Sequence, residues 1–236
     1  MTGVRALLFD VIGTVVDWRG GLIMYLEAWG AGRGLSVDWS QLVDRWRAAS
    51  PPQWAQVNAG QRAWANFDEL LREALEDIAP NFGLTGLDAS TLGSLVGLWG
   101  KLPPWPDSVS GLARLRRRHL IAPLSNVHVA LLVQMAKGAE LPWDAVFGAD
   151  IFRHYKPAPE TYLGATSLLG CQPTEVMLVA SHPSDLAGAA RCGLQTCYVS
   201  RPMEYGAGRI VEPKPEPGRF DLIVEDLDGL ATLMEC

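Results

Sequence analysis

Asp10 closes the apolar run Ala6-Leu7-Leu8-Phe9 and is followed by Gly13-Thr14. Ser125-Asn126 closes a second run, Leu120 to Leu124, and Ser181, His182 and Asp185 follow a third, Val176 to Ala180. Between these two, Ala149-Asp150-Ile151 leads from the run Ala145 to Gly148 to Tyr155-Lys156-Pro157. A carboxylate can serve as a nucleophile when a nearby cation orients it and bears its charge, donors fix an anionic substrate, and a second carboxylate steers water. Asp10, Lys156, Ser125-Asn126 and Asp185 are of the right types for those tasks. Singly, each has a structural explanation: Asp10 can end a strand, Ser125-Asn126 and Asp185 can cap helices, and Lys156 can be a solvated surface residue. What points to a site is their occurrence in this order, each at or just beyond the end of an apolar run.

Those residues meet only if the apolar runs are neighbouring strands whose carboxyl ends share an edge, the place where open α/β sheets bind ligands. The runs are short and end abruptly in polar residues, which suits buried strands. After the break at Pro103-Pro104-Trp105-Pro106, strand-like and helical patterns alternate: helix Val109 to Arg118, helix Val129 to Ala136, helix Pro159 to Leu169, helix Asp185 to Arg191, then strands at Thr196 to Val199 and Leu222 to Val224. Alternation of this kind predicts a parallel sheet with crossover helices. From Trp18 to about Lys101 the apolar spacing is helical, clearest in Trp64, Phe67, Leu71, Ala74, Leu75 and Ile78, with further stripes at Leu22, Ile23, Leu26, Trp29 and at Leu42, Val43, Trp46. Seven of the nine tryptophans fall in this segment, most of them expected in its core. The expected architecture is α/β: a Rossmann-like parallel-sheet core of residues 1–17 and 102–236, with an all-helical cap of residues 18–101 inserted after the first strand.

The set resembles the haloacid dehalogenase superfamily, whose four motifs occur in order as Phe9-Asp10-Val11-Ile12-Gly13-Thr14, Leu124-Ser125-Asn126, Tyr155-Lys156-Pro157 and Val179-Ala180-Ser181-His182-Pro183-Ser184-Asp185. The resemblance covers most of the chain and implies a Rossmann-like core with a helical cap. Phosphatases of that superfamily carry a second aspartate two residues after the nucleophile, where it protonates the departing alkoxide. Ile12 stands there in this chain. A halide leaves as a stable anion, so Ile12 favours carbon–halogen cleavage, and the closer resemblance is to the L-2-haloacid dehalogenases. Trp46-Arg47 resembles that family's halide-receiving cap arginine, Asn66-Phe67 its aromatic pocket wall, and Tyr162 a tyrosine near its nucleophile. The chain departs from the pattern at Ile12, Val127-His128, His182 and Ser184, which leaves substrate size and halide preference open. The run Val15 to Arg19 resembles a subgroup that includes fluoroacetate-defluorinating members.

The resemblance implies that a small 2-haloalkanoate is held by Ser125, Asn126 and backbone N–H groups at a helix N-terminus. Asp10 attacks the halogen-bearing carbon, and halide departs toward Arg47, with His182 able to assist. Water positioned by Asp185, near Lys156 and Thr14, then opens the ester to a 2-hydroxy acid, and Ser181 is counted with Ile12, Phe67, Tyr162 and His182 among the residues expected to bind substrate. No metal or other cofactor is expected, because no phosphoryl oxygens need clamping. The alternatives are a metal-dependent phosphatase or phosphotransferase of the same fold, a signalling receiver, which chain length and motif order oppose, and a catalytically silent binding protein.

Composition agrees with a globular enzyme of 236 residues: 48% hydrophobic, 19% charged, with a formal charge of −6 that argues against nucleic-acid binding. No run is long enough for a membrane span, and Met1 to Arg5 does not read as a leader, so a cytoplasmic location is expected. The four cysteines lie in the C-terminal third without a CxxC, an arrangement suited to reduced thiols rather than a disulfide framework or zinc site. Whether the tryptophan-rich cap forms a homodimer interface stays open.

Overall fold

The structure, a computed structural model, describes residues 3–209 and 211–236. Strands β1 (Ala6–Phe9), β2 (Leu120–Ser125), β3 (Phe147–Gly148), β4 (Val176–Ala180), β5 (Gln195–Val199) and β6 (Leu222–Val224) form one six-stranded sheet. Their order is β3-β2-β1-β4-β5-β6, and every pairing is parallel. The strand order reverses between β1 and β4, which opens a crevice beyond their carboxyl ends. Asp10 and Ser181 are the first residues past those two strands. The six strands fall on the apolar runs read from the sequence, although β3 is confined to Phe147–Gly148.

After β1 the chain leaves the sheet for a helical layer: α1 (Trp18–Ala31), α2 (Trp39–Asn58), α3 (Phe67–Ile78) and α4 (Ala89–Val96), with short 3-10 turns at Ala79–Phe82 and Gly97–Lys101. Among the described residues, no strand lies between Trp18 and Lys101. Each helix start is fixed locally. Asp17, Asp38, Asn66 and Asp88 accept hydrogen bonds from backbone N–H groups of the first turns of α1, α2, α3 and α4, satisfying donors that would otherwise be orphaned. Asn66 and Glu69 cap each other reciprocally, so Asn66 starts the helix that carries Phe67. The stripe Leu42, Val43, Trp46 belongs to a helix that continues through Pro51 and Pro52 to Asn58.

The chain returns as α5 (Ser108–Leu115), and α6 (Val129–Gly138), α7 (Ala149–Phe152), α8 (Pro159–Leu168), α9 (Pro183–Arg191) and α10 (Leu227–Leu233) complete the core. Alternation along the strands splits the apolar residues between the two faces of the sheet. Leu7, Phe9, Met177 and Val179 pack with α5, α6, α10 and the cap, while Ala6, Leu8, Val176 and Leu178 pack with α8 and α9.

Trp18, Trp46 and Trp99 are fully buried, as the sequence pattern expects of most cap tryptophans. Trp99 stacks on Trp18 at 6.3 Å between centroids and meets Trp46 edge-on at 5.6 Å. Trp46 also donates its indole N–H to the Leu71 carbonyl at 2.8 Å, tying α2 to α3. Trp46→Ala is therefore expected to destabilise the protein by about 3–5 kcal/mol through cavity formation and the lost hydrogen bond. Equilibrium urea unfolding measures it, and a loss near zero would mean that Trp46 does not hold the cap together.

Candidate active site

Asp10 stands one residue past β1, and its backbone N–H extends the ladder to the Val179 carbonyl at 3.0 Å. Its side chain is held at both oxygens. Oδ1 accepts from Lys156 Nζ at 2.9 Å, and Oδ2 accepts from the Thr14 hydroxyl at 2.8 Å and lies 3.1 Å from His182 Nδ1. Lys156 Nζ also donates to Asp185 Oδ2 at 2.5 Å, so one ammonium joins both carboxylates. The Tyr162 hydroxyl donates to the other Asp185 oxygen at 2.6 Å. Gly188, one turn along α9 from Asp185, makes room for that phenol: a Cβ there would lie 2.6 Å from the Tyr162 oxygen.

Lys156 is positioned through its backbone. Asn126 accepts from the Lys156 N–H at 2.6 Å and donates to its carbonyl at 3.3 Å. One residue earlier, Asn58 of α2 makes the same two-pronged contact with Tyr155, at 2.9 and 2.7 Å. The loop carrying the Lys156 ammonium is thus clasped from the core by Asn126 and from the cap by Asn58. Ser125 is buried, and its hydroxyl oxygen accepts from the Val127 N–H at 3.3 Å, which leaves its own proton free to donate.

Charge settles the protonation states. Burial alone would push the Asp10 carboxyl up, but Lys156 and His182 overcome it and hold Asp10 well below the usual carboxylate range. Burial would lower Lys156, and the Asp10 and Asp185 carboxylates raise it instead, so the lysine stays charged. Asp185 is raised by burial and by the Asp10 charge despite Lys156 and Tyr162. Two buried carboxylates with opposite shifts suit two tasks: an anionic nucleophile beside a group ready to accept a proton.

A cavity of about 520 Å³ connects this cluster to the cap. Asp10, Ile12, Ser125, Asn126, Lys156, His182 and Asp185 line it from the core, and Arg47, Trp54, Asn58 and Phe67 line it from the cap. Among the described residues Arg47 forms no ion pair, and its buried Nε has no hydrogen-bond partner. Its guanidinium instead lies over the rings of Trp54 and Trp18, at 5.3 and 5.9 Å from their centroids. A part-buried guanidinium with an unused Nε donor, set beside aromatic rings, can receive a small anion. Ile12, two residues past Asp10, presents only hydrocarbon to the cavity, and Phe67 is buried against Trp54 and Trp99.

The haloacid dehalogenase-like hydrolase family matches residues 4–193. The chain belongs to that family. Among curated relatives of this hydrolase, it is 30% identical over 212 residues to an (S)-2-haloacid dehalogenase 4A of Burkholderia cepacia, covering 85% of this chain and 86% of that protein. It is likewise 30% identical over 203 residues to an (S)-2-haloacid dehalogenase of Xanthobacter autotrophicus, covering 84% and 76%. The fold of this hydrolase superposes on a crystal structure of an L-2-haloacid dehalogenase with a TM-score of 0.94 at 43% identity, over 99% of both chains. A defluorinating L-2-haloacid dehalogenase superposes with a TM-score of 0.93 at 40% identity, over 99% of this chain and 96% of that one.

In this family member the site residues read from the sequence converge, with some tasks changed. Neither Ser125 nor Asn126 caps α6, whose N-cap is His128, and Asp185 sits in the first turn of α9 rather than at its cap. The alternative of Lys156 as a solvated surface residue is wrong: it is buried between two carboxylates. The Asn126 amide, expected to bind substrate, is already engaged by the Lys156 backbone and keeps one N–H for the cavity. Ser181 faces Thr14 and Glu204 rather than the cavity, donating its backbone N–H to the Thr14 hydroxyl at 2.9 Å. Glu204, Asn58 and Trp54 were not among the residues singled out. Glu204 lies several residues beyond the end of β5, in a turn with no periodic pattern to mark it. No helix in the described residues is long and apolar enough to cross a membrane.

Proposed function

We propose that the protein hydrolyses small 2-haloalkanoic acids of the S configuration to 2-hydroxy acids through an ester on Asp10. One observation carries the reading: a single cavity holds the anionic Asp10 and the unpaired Arg47, with Ile12 where an alkoxide-protonating acid would stand. The substrate carboxylate is held by the Ser125 hydroxyl and the remaining Asn126 N–H. Asp10 attacks the halogen-bearing carbon from the side opposite the halide, which departs toward Arg47. Asp185 takes a proton from the water that attacks Asp10 Cγ, and Lys156 steadies the carbonyl oxygen as charge develops on it. The names of the relatives support the substrate class, and the defluorinating relative extends the reading to fluoroacetate.

The direct test is halide release from L- and D-2-chloropropionate, chloroacetate and fluoroacetate, with and without a chelator. Release from the L form that is insensitive to chelation is expected. The Asp10 oxygens are already engaged by Lys156, Thr14 and His182, a donor set poorly suited to a divalent cation. Chelator-sensitive phosphate release without halide release would instead favour the phosphatase alternative.

Arg47→Met keeps much of the side-chain volume and removes the charge. Turnover of L-2-chloropropionate is expected to fall by about 10²-fold or more, the loss typical of removing a donor at a site of developing charge. The loss should appear in kcat, because the halide becomes an anion only as the bond breaks. A change confined to KM would reassign Arg47 to the substrate carboxylate.

A further inference from the structure

Glu204 is a buried carboxylate that the dehalogenation scheme leaves without a task. It lies 3% exposed on the loop after β5. Its Oε1 accepts from Trp18 Nε1 at 3.1 Å and lies 2.9 Å from His182 Nε2, while Oε2 accepts from the Ser181 hydroxyl at 3.3 Å. The approach is built into the nucleophile turn. Gly13 has φ +90°, and a Cβ there would lie 2.2 Å from Glu204 Oε1, so only glycine admits the carboxylate. The other nitrogen of His182, Nδ1, is 3.1 Å from Asp10 Oδ2. With a carboxylate oxygen at each ring nitrogen, both nitrogens must donate, and the ring is an imidazolium. Burial would strip that charge, but Glu204 and Asp10 raise the ring well above the ordinary histidine value. The other charged groups on this cavity are Lys156, Asp185, Arg47, Asp44, Arg209 and Glu212.

Geometry separates this cation from the halide. In a backside displacement the leaving group lies opposite the attacking oxygen, and a donor hydrogen-bonded to Asp10 sits on the attacking side. A proton is needed on that side later. When water opens the ester, the bond between Cγ and the alkylated oxygen breaks, and its electrons go to the oxygen that departs on the substrate carbon. That oxygen would leave as the alkoxide of a 2-hydroxy acid, a far poorer leaving group than a halide, and Ile12 offers it no acid.

We propose that His182 is the general acid of the ester-opening step, protonating the departing oxygen, and that Glu204 is the positioning residue that orients its ring. This rests on the reading of the protein as an aspartyl-ester dehalogenase. Oδ2 is the alkylated oxygen, and Oδ1 remains on Lys156 as the carbonyl. Asp185 removes one proton from water as its oxygen bonds to Cγ. His182 gives its Nδ1 proton to the leaving oxygen, which departs as the hydroxyl of the product. The second water proton remains on the regenerated Asp10 carboxyl and passes to the neutral His182, restoring the carboxylate and the imidazolium. The proton on Asp185 goes to solvent, matching the one proton released when a haloacid and water become a hydroxy acid and a halide.

Rapid-quench turnover of L-2-chloropropionate by the full chain tests this. In His182→Asn, a burst of one halide per site is expected, followed by ester decay about 10²-fold slower than in the native enzyme, the lower range for a lost general acid. The ester is seen by mass spectrometry on the peptide containing Asp10. In Glu204→Gln, ester decay is expected to be lost with rising pH at a lower midpoint than in the native enzyme, which a merely structural defect would not cause. Ester decay at the native rate in His182→Asn, or a slowed halide burst with no accumulated ester, overturns the assignment. Should both variants fail to fold, the native enzyme decides: ester is expected to accumulate at alkaline pH while the burst persists, and its failure to do so overturns the proposal. If the native enzyme forms no ester on Asp10 at any pH, the dehalogenase reading itself fails.

Discussion

Asp10→Asn is expected to abolish halide release, lowering turnover by about 10⁴-fold or more, as for other nucleophiles removed from covalent catalysis. The amide replaces an anion with a neutral group whose oxygen is a weak nucleophile. It also removes the charge that Lys156 and His182 are arranged around, leaving two cations near a neutral side chain. The depressed pKa of Asp10 means that the native residue is ionised throughout the working range, so no pH within it should rescue the variant. Halide release is the measurement, with intact-protein mass excluding deamidation of the new asparagine back to aspartate. A variant of correct mass that turned over normally would remove Asp10 from the chemistry. Single turnover of the native enzyme in heavy-oxygen water supplies the complementary result: label should enter Asp10 before it enters product.

The residues legible in the sequence were those that a buried strand delivers to one edge. A strand that ends in a polar residue announces both its end and its charge, which is why Asp10, Ser125, Asn126, Ser181 and Asp185 could be placed before their contacts were known. The helical stripe of α3 was equally plain, because its polar face is strongly segregated from Phe67, Leu71, Ala74 and Leu75. Trp54 and Asn58 were hidden for the opposite reason. They lie in α2 beyond Pro51 and Pro52, which lack the N–H for the helical ladder and ordinarily mark a helix end. The cap packing carries the helix past them, and that support is tertiary. Asn126 was placed correctly but given an incomplete task, since a side-chain amide on another residue's backbone leaves no periodic trace. Glu204 sits in an irregular loop, and its partner His182 holds the N-cap position of α9, a place that by itself calls for no carboxylate partner.

Lys156→Met is expected to lose both activity and stability, because the ammonium serves two carboxylates at once. Activity should fall by roughly 10³-fold or more, since the ester carbonyl loses the cation that bears its developing charge. Breaking a buried ion pair by removing one partner costs about 3–5 kcal/mol, as the remaining charge is left desolvated. Here the loss depends on pH in a direction that follows from the shifts. In the native protein Asp10 is depressed, so it contributes stability above the unfolded carboxylate value that is lost only as pH falls through its lower folded value. Asp185 is already raised by burial and by Asp10, and without Lys156 it rises further. A group raised in the folded state stabilises below its unfolded value, and that contribution disappears as pH rises through the folded one. The variant should therefore be least compromised in mild acid, where Asp185 takes up a proton and no longer opposes the Asp10 charge, and most compromised at pH 8, where both must be charged. Thermal melts of native and variant protein at pH 5 and pH 8 measure this. A deficit that is equal at both values, or larger in acid, would mean that the two carboxylates do not depend on Lys156 for their coexistence.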